Sequence, residues 1–172
     1  MIRYRTPVGT LVIVASERKL LMCDWIDSKL FGRHFEAVRH LTPDSSLENE
    51  VVRLLDCYFA AEFEKFSQGC EEIELVPCGT PFQKDVWQQL LTIPLGITLS
   101  YSLLARAVNS HPRAVASAVA RNPVSVFIPC HRVIGADSSL TGYAGGLDAK
   151  RFLLRHETTV NKSCSPEGSS PT

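Results

Sequence analysis

The sequence predicts an α+β protein, with a small antiparallel-sheet domain at residues 1–79 and a mainly helical domain at residues 80–157. Short β-branched runs separated by turn residues fill the beginning of the chain. Apolar residues at helical spacing dominate after Thr80. The chain has 172 residues, 45% of them hydrophobic, and is therefore long enough to bury the cores of two small domains.

Strand-like and helix-like segments share the first half. The runs TLVIVASE and KLLMCDWID flank the turn-like SERK and predict two antiparallel strands. The segment SLENEVVRLLDCYFAAEF has apolar residues at helical spacing and predicts a helix with Ser45 or Ser46 as its N-cap. EEIELV predicts a short strand. We expect this half to be structural.

The second half begins with a well-marked helix in GTPFQKDVWQQLLTIP. Thr80 is the predicted N-cap, Pro81 takes the first helical position, and Gln83 completes a capping box. Pro94 is predicted to end the helix. Its apolar side chains are Phe82, Val86, Trp87, Leu90 and Leu91.

Three further helices are predicted downstream. LSYSLLARAV and RAVASAVARN are joined by NSHP in a helix-turn-helix pattern. LDAKRFLLRHE predicts a last helix that buries Leu147, Phe152 and Leu153. Residues 158–172 are polar and rich in Ser and Pro, and we expect them to be disordered.

Composition argues against several classes of protein. No apolar stretch approaches the roughly 20 residues that a membrane helix needs, and the early run at residues 11–15 follows Pro7 and Gly9, which favours a strand over a secretory signal. The six cysteines contain no C-x-x-C pair, so neither zinc-ribbon spacing nor a dense disulfide framework is present. We therefore expect a cytoplasmic protein with reduced thiols, no bound metal and no cofactor.

A net charge of zero conceals an asymmetry. Residues 1–79 carry nine Lys/Arg against thirteen Asp/Glu, a net of −4, whereas residues 80–157 carry eight against four, a net of +4. A basic second half is typical of a polyanion-binding surface. Ordinary scatter of surface charge explains these counts equally well, so this observation alone does not decide.

The second helix of the helix-turn-helix carries few side chains that read base edges. Apart from Arg113 and Arg121, it offers small residues such as Ala114 and Ser117. One interpretation is a small-residue face packed on a neighbouring helix. The other is a helix that lies close against a shallow groove of a duplex. Such a helix binds without much sequence preference and leaves Arg113 free to probe the duplex.

The segment VFIPCHRVIG places reactive side chains inside an apolar run. Pro129 forbids a regular central strand there, and Cys130, His131 and Arg132 follow it directly. With RNP before it and TGYAGG and LLRHE after it, the segment resembles the active-site region of the O6-alkylguanine-DNA alkyltransferases. GTPFQKDVW and SYSLLA match the same domain, so the resemblance covers residues 80–157 almost continuously, and TPVGTL extends it loosely into the first half.

The resemblance implies an RNase H-like N-terminal domain and a C-terminal domain whose helix-turn-helix enters the minor groove of double-stranded DNA. The family transfers an alkyl group from guanine O6, and by expectation from O4-alkylthymine, to a cysteine of the protein in a single turnover. No segment of this chain matches the zinc-binding sensor domain fused to some bacterial relatives. We therefore expect a monomeric repair protein without a sensor function.

The resemblance also implies roles for individual residues. Cys130 is the nucleophile, and because a free thiol has a pKa of about 8.5 it needs help to ionise. His131 acts on it through a water, Glu157 orients the imidazole, and the Tyr101 hydroxyl donates to guanine N3. Arg113 fills the place of the flipped nucleotide, whose extrusion costs a few kcal/mol. Further DNA contacts fall to Ala114, Ser117 and Arg121.

The substrate pocket is implied in the same way. Asn122 ties the recognition helix to the active-site turn, the carbonyls of Cys130 and Val133 select the guanine amine, and the pocket wall is formed by Tyr143, Ala144 and Gly145. This chain departs from the family pattern in two ways. Ala144 replaces a serine of some relatives, and the turn before Arg113 is shorter than usual.

Two functions other than alkyl transfer are considered as alternatives. One is a non-catalytic module that binds alkylated DNA, and the other is a Cys-His hydrolase.

Overall fold

In the computed structural model, which describes residues 1–159, the first half forms a four-stranded sheet in the order β1–β2–β3–β4. The first three strands are antiparallel, and β4 joins β3 in parallel. The predicted antiparallel pair is therefore confirmed, and the sheet as a whole is mixed. The strands are β1 (Ile2–Thr6), β2 (Gly9–Ser16), β3 (Lys19–Trp25) and β4 (Glu74–Leu75).

Helices account for most of the remaining chain, so the predicted α+β class is confirmed. Two short parallel strands, β5 (Leu99–Ser100) and β6 (Val133–Ile134), form a second sheet. Residues 160–172, the greater part of the predicted tail, lie outside the described residues. The helices are α1 (Phe31–Val38), α2 (Ser45–Phe59), α3 (Phe63–Glu71), α4 (Pro81–Leu91), α5 (Tyr101–Ala107), α6 (Pro112–Val119) and α7 (Gly146–Thr158).

Strands β2 and β3 are buried on both faces. Val12, Val14 and Met22 pack with Val38 of α1 on one face. Leu11, Ile13 and their neighbours on the other face join the main core, which runs through α2 into the second half. Burial on both sides explains why these strands are continuously apolar and do not alternate.

Two details of the first half differ from the sequence prediction. The N-cap of α2 is Asp44 and not Ser45 or Ser46, because the Asp44 carboxylate accepts the backbone N–H of Leu47 at 3.0 Å. The predicted helix also ends earlier, since α2 stops at Phe59 and a separate helix that was not predicted, α3, begins at Phe63. Ala61 adopts a positive φ of 61° between α2 and α3, a conformation that ends a right-handed helix.

Helix α4 begins as predicted. The Thr80 hydroxyl accepts the Gln83 backbone N–H, and the Gln83 side chain accepts the Thr80 N–H in return. Within its predicted apolar set, Val86, Trp87 and Leu90 are buried, whereas Phe82 and Leu91 are exposed. The helix ends at Leu91, three residues before Pro94.

Helices α5 and α6 form the predicted helix-turn-helix, and α4 packs against α6. The indole N–H of Trp87 donates to the carbonyl of Ala118 at 3.0 Å, which fixes the helix pair on α4. In α7, Leu153 is buried as predicted, but Leu147 is 43% exposed. Leu147 lies in the first turn of α7, away from the buried stripe that Ala149, Leu153 and Glu157 share.

The two halves meet at the edge of β3. The backbone N–H of Cys23 donates to the Pro123 carbonyl at 2.9 Å, and the N–H of Ser125 donates to the Cys23 carbonyl at 2.7 Å. This short parallel bridge fixes the loop that follows α6 against the first-half sheet. Within residues 1–159, no helix is both long enough and apolar enough to cross a bilayer.

Candidate active site

A single 3₁₀ turn, Cys130–Arg132, carries the reactive side chains. It lies between the buried loop 124–128 and strand β6, and Pro129 precedes it. Cys130 is 3% exposed and His131 is fully buried. Because the turn interrupts the extended chain inside the core, polar groups can face inward in a segment that is otherwise apolar.

The backbone ahead of this turn is strained. Val126 is buried and adopts a φ of +73°, which is rare for a β-branched residue. Such a conformation costs on the order of 1–3 kcal/mol and persists only where the surrounding structure enforces it. The bridge to β3 at Cys23 and the hydrogen bond from Ile128 N–H to the Val124 carbonyl hold the loop in this shape.

The Cys130 thiol has one direct polar partner among the described residues. The side-chain amide of Asn122 donates to its Sγ at 3.1 Å. Burial raises the pKa of Cys130, and the Asn122 hydrogen bond and the positive charge of Lys150 partly offset it, which leaves the pKa at about 11. At neutral pH the resting side chain is therefore a thiol.

Asn122 also anchors the turn. Its amide nitrogen donates to the Ile128 carbonyl at 2.9 Å, and its oxygen accepts the Val124 N–H at 2.9 Å. Asn122 follows α6 by three residues. One buried side chain therefore connects the end of the helix-turn-helix, the strained loop and the thiol.

His131 and Glu157 form a buried pair. Nε2 of His131 donates to Oε1 of Glu157 at 2.6 Å, which leaves Nδ1 as the basic nitrogen, a buried atom with no hydrogen-bond partner in the described part of the chain. Burial lowers the pKa of His131, and Glu157 only partly offsets this effect. At neutral pH the imidazole is therefore neutral and can accept a proton.

Glu157 receives hydrogen bonds from four residues. Besides His131, Arg132 contacts both carboxylate oxygens, at 2.9 and 3.0 Å. The Tyr58 hydroxyl donates at 2.8 Å, and the Gly96 N–H donates at 3.2 Å. Burial alone would raise the pKa of Glu157, but His131 and Arg132 outweigh it and hold the pKa well below its usual range. At neutral pH the carboxylate is therefore ionised.

Lys150 is a buried cation beside this site. Its ammonium donates to the carbonyls of Val133 at 2.6 Å and Thr141 at 2.8 Å, and it lies 5.9 Å from the ring centre of Tyr101. Burial lowers its pKa to about 8, although the proximity of Cys130 opposes the shift. The positive charge lies where a thiolate at Cys130 would be stabilised.

Tyr101 and the two predicted carbonyls lie in the same region. Tyr101 is half-buried at the start of α5, and burial raises the pKa of its hydroxyl, so it remains a hydrogen-bond donor at neutral pH. The Cys130 carbonyl accepts the Val133 N–H. The Cys130 and Val133 carbonyls thus each have one protein partner and one lone pair left for a ligand.

Trp25 of the first half supports the predicted pocket wall. Its indole N–H donates to the Tyr143 hydroxyl at 3.1 Å. Tyr143, Ala144 and Gly145 are half-buried. A Cβ on Gly145 would lie 2.7 Å from the indole ring, so only glycine permits this approach.

The predicted DNA-contacting residues lie on α6 and directly after it, and none belongs to the Cys130–Arg132 turn. Arg113, Ala114, Ser117 and Arg121 are all exposed, whereas Val115, Ala118 and Val119 on the opposite side are buried. The spacing of the exposed set places it on one helical stripe. The small residues are therefore divided, with Ala118 packed against α4 and Ala114 and Ser117 available to a ligand.

His111 caps α6 by accepting the Arg113 N–H at 3.2 Å, and this contact sets the residue at which the helix begins after the turn.

Four residues that complete the site were not predicted from the sequence to belong to it: Tyr58, Trp25, Arg132 and Lys150. A signal existed for Lys150, which shares the core-facing stripe of α7 with Leu153 and Glu157. Among residues 1–159 no group of three or more metal-binding side chains occurs, and the five cysteines described there are free.

Comparison with known proteins gives a consistent result across both halves. Residues 2–68 match the ribonuclease-like domain of 6-O-methylguanine DNA methyltransferase, and residues 81–159 match its DNA-binding domain. A methylated-DNA–protein-cysteine methyltransferase of Methanosarcina acetivorans is 39% identical over 161 residues, covering 90% of this chain and 95% of the relative. The chain belongs to the O6-methylguanine-DNA methyltransferase family.

Other members of the family agree in sequence and in fold. The Mycobacterium leprae methyltransferase is 41% identical over 155 residues, which is 88% of each chain. The crystal structure of Mycobacterium tuberculosis OGT in complex with DNA superposes with a TM-score of 0.74 at 34% identity, covering 91% of both chains. The Methanococcus jannaschii O6-methylguanine DNA methyltransferase superposes with a TM-score of 0.64 at 27% identity.

Proposed function

We propose that this chain repairs DNA by direct transfer of the alkyl group of O6-alkylguanine to its own Cys130, in a single turnover. Its membership of the methyltransferase family gives the reaction class and the DNA partner. The observation that supports the residue assignment is the buried thiol placed next to a neutral His131 whose other nitrogen is held by the ionised Glu157.

The first step is ionisation of the thiol. The proton of Cys130 moves through a water to Nδ1 of His131, and Glu157 stabilises the imidazolium that forms. Asn122 and Lys150 stabilise the resulting thiolate, because both lower the pKa of Cys130. Glu157 stays ionised throughout, since its hydrogen-bond donors hold its pKa low.

In the second step the thiolate sulfur attacks the alkyl carbon. The carbon–O6 bond breaks, its electron pair stays on guanine, and Cys130 becomes a thioether. Tyr101 donates a hydrogen bond to guanine N3, which stabilises the negative charge on the leaving base. Regenerating Cys130 would require a nucleophile to break the stable carbon–sulfur bond of the thioether and expel thiolate, and the site supplies none, so the reaction consumes the protein.

DNA binding is assigned to the exposed stripe of α6. Small side chains at Ala114 and Ser117 let the helix approach the minor groove closely, and Arg121 contacts the backbone at its end. Arg113 takes the place of the flipped base, which offsets the few kcal/mol that extrusion costs. The protein acts as a monomer in this proposal, and O4-alkylthymine is a second substrate.

The flipped base binds between the catalytic turn and the loop at 143–145. The Cys130 and Val133 carbonyls accept hydrogen bonds from the exocyclic amine of guanine. The backbone N–H of Ala144 or Gly145 donates a hydrogen bond to O6. Trp25 fixes the Tyr143 hydroxyl through its indole N–H. The pocket wall therefore depends on a residue of the first half.

The test is the intact mass of the protein after reaction with O6-benzylguanine and with a duplex that contains O6-methylguanine. We expect a gain of one benzyl or one methyl group, located on Cys130 by peptide mapping, and no further gain with time. A protein that binds the duplex without gaining mass would be a non-catalytic binding module. Repeated turnover of an ester or amide substrate would indicate a Cys-His hydrolase.

A further inference from the structure

A cavity of about 280 Å³ opens between the two halves and is separate from the catalytic turn. Arg33 and His34 of α1 form one side, and Thr80 at the start of α4 and Arg121 after α6 form the other. The floor is apolar and includes Leu21. Neither Cys130 nor any pocket residue proposed above lines it.

The mouth of this cavity is positively charged. No aspartate or glutamate lines it, and in the described part of the chain Arg33 forms neither an ion pair nor a side-chain hydrogen bond. Among the described residues, the Arg121 guanidinium forms hydrogen bonds only to the carbonyl and hydroxyl of Ser117. His34, which lines the cavity, is bound at 2.8 Å by the carboxylate of Asp24, and that carboxylate is fully buried. Within residues 1–159, Arg33 and Arg121 therefore have no carboxylate partner.

The sequence places positive charge on this side of an otherwise acidic half. Residues 29–40, which include α1, carry Lys29, Arg33 and Arg39 against the single Glu36, a net of +2. The whole of residues 1–79 carries a net of −4. Such a concentration of cations next to the recognition helix is the pattern expected where a polyanion crosses from one half to the other.

We propose that Arg33 and Arg121 together hold one backbone phosphate of the DNA at the mouth of this cavity, so that the first half takes part in DNA binding. This inference rests on the proposed function. Arg121 ends the exposed stripe that begins at Arg113, so a strand lying along the stripe continues over the cavity. Guanidinium groups suit a phosphate because their planar N–H groups bind two oxygens at once.

The experiment compares Arg33→Gln with Arg39→Gln. Arg39 is a matched control, since it lies one residue beyond the same helix, is exposed, and pairs with Glu36 outside the cavity. The affinity for an undamaged duplex is measured from low to high salt. We expect Arg33→Gln to weaken binding about tenfold at low salt and to reduce the salt slope by about one unit. Arg39→Gln should keep the slope of the unaltered chain.

Two further variants sharpen the result. Arg33→Lys keeps the charge and should restore the salt slope while regaining only part of the affinity. Combining Arg33→Gln with Arg121→Gln should cost less than the sum of the single losses, because both side chains serve one phosphate. Circular dichroism and the melting temperature report whether each variant is folded.

An unchanged salt slope in a folded Arg33→Gln variant would overturn the inference, and so would equal losses in Arg33→Gln and Arg39→Gln. Neither result touches the proposed function, which is measured separately as the mass gained by the unaltered chain from free O6-benzylguanine. If that mass gain fails while the Arg33 effect appears, the phosphate contact stands and the alkyl transfer does not.

Discussion

Cys23 and Cys130 are buried thiols on the two sides of the junction between the halves, and they differ in their neighbours. Burial raises the pKa of Cys23 well above its usual range, and the adjacent Asp24 raises it further. Burial also raises the pKa of Cys130, but Asn122 and Lys150 oppose it and leave it at about 11. Because both thiols are buried, burial cannot be the property that makes one of them reactive.

The second difference is the proton acceptor. Cys130 is followed by His131, which burial keeps neutral and which Glu157 orients. Cys23 is followed by Asp24, whose oxygens are engaged by His34 and by the Trp25 N–H. In the proposed mechanism, the reactivity of Cys130 therefore requires a neutral base as well as donors that stabilise sulfur. The first half supplies part of that arrangement through Tyr58.

The largest expected effect separates the two cysteines directly. Cys130→Ser should abolish alkyl transfer from O6-benzylguanine, because a serine hydroxyl is far less acidic and less nucleophilic than a thiol. Cys23→Ala should transfer one equivalent at close to the original rate and lose about 1 kcal/mol of stability, as small deletions in a core do. Alkyl transfer by Cys130→Ser would contradict this distinction between the two cysteines. A folded Cys23→Ala variant that transfers no alkyl group would contradict it as well.

The next effect concerns the buried carboxylate. Glu157→Gln should slow transfer about 100-fold, because the imidazolium at His131 loses its stabilising charge. It should also lower the free energy of unfolding by about 3 kcal/mol, since the buried Arg132 is left unpaired. Single-turnover kinetics and urea unfolding measure the two effects.

Glu48 is the matched control for this carboxylate. It is equally buried, but it pairs with the N-terminal amine and lies away from the thiol. Glu48→Gln should lower stability and leave the transfer rate unchanged. If both variants slowed transfer equally, the rate would report general destabilisation and not the role of Glu157.

The smallest expected effect tests the contribution of the first half. Tyr58→Phe keeps the ring and removes the hydrogen bond to Glu157, so the carboxylate becomes more basic and the pKa of His131 rises towards its ordinary value. At neutral pH the transfer rate should change by less than about threefold, equivalent to under 1 kcal/mol, because the imidazole is still mostly neutral there. The acid side of the pH–rate profile should move to higher pH.

Tyr4→Phe supplies the comparison for Tyr58→Phe. The Tyr4 hydroxyl donates at 2.8 Å to Asp56, which lies on α2 like Tyr58 but is exposed. A merely structural role for Tyr58 predicts that both variants keep the original pH profile. A shift confined to Tyr58→Phe is the outcome that the network requires.

Local patterns explain which parts of the molecule could be predicted from sequence. The capping box at Thr80, the helix-turn-helix and the strand pair β2–β3 each depend on neighbouring residues, and all three are present. Helix α1 was missed because it has only eight residues, includes Gly32 and has no side-chain N-cap. The continuous apolar run in β2 is typical of a strand that is packed on both faces. That pattern could have indicated that a further element such as α1 covers the sheet.

The contacts around Glu157 were harder to foresee for a different reason. Tyr58 and Glu157 are 99 residues apart in the chain, and Arg132 and Glu157 are 25 apart. No local periodicity reports such pairs, because they form only when the halves pack together. The family resemblance placed the catalytic residues in motifs, whereas the donors that tune them lie in segments whose local sequence looks like ordinary core.

In the proposed mechanism, Cys130 reacts because His131 takes its proton and not because the pKa of Cys130 is low. The most direct test is the single-turnover rate with O6-benzylguanine between pH 5 and pH 9. We predict a rate that does not rise between pH 7 and pH 9, and that declines above about pH 8, where Lys150 loses its charge. At lower pH the rate should fall, beginning below the ordinary His pKa of about 6.5, because burial lowers the pKa of His131. A rate that rises about tenfold per pH unit from pH 7 to pH 9 would mean that unassisted thiolate is the reactive species, and it would contradict the account.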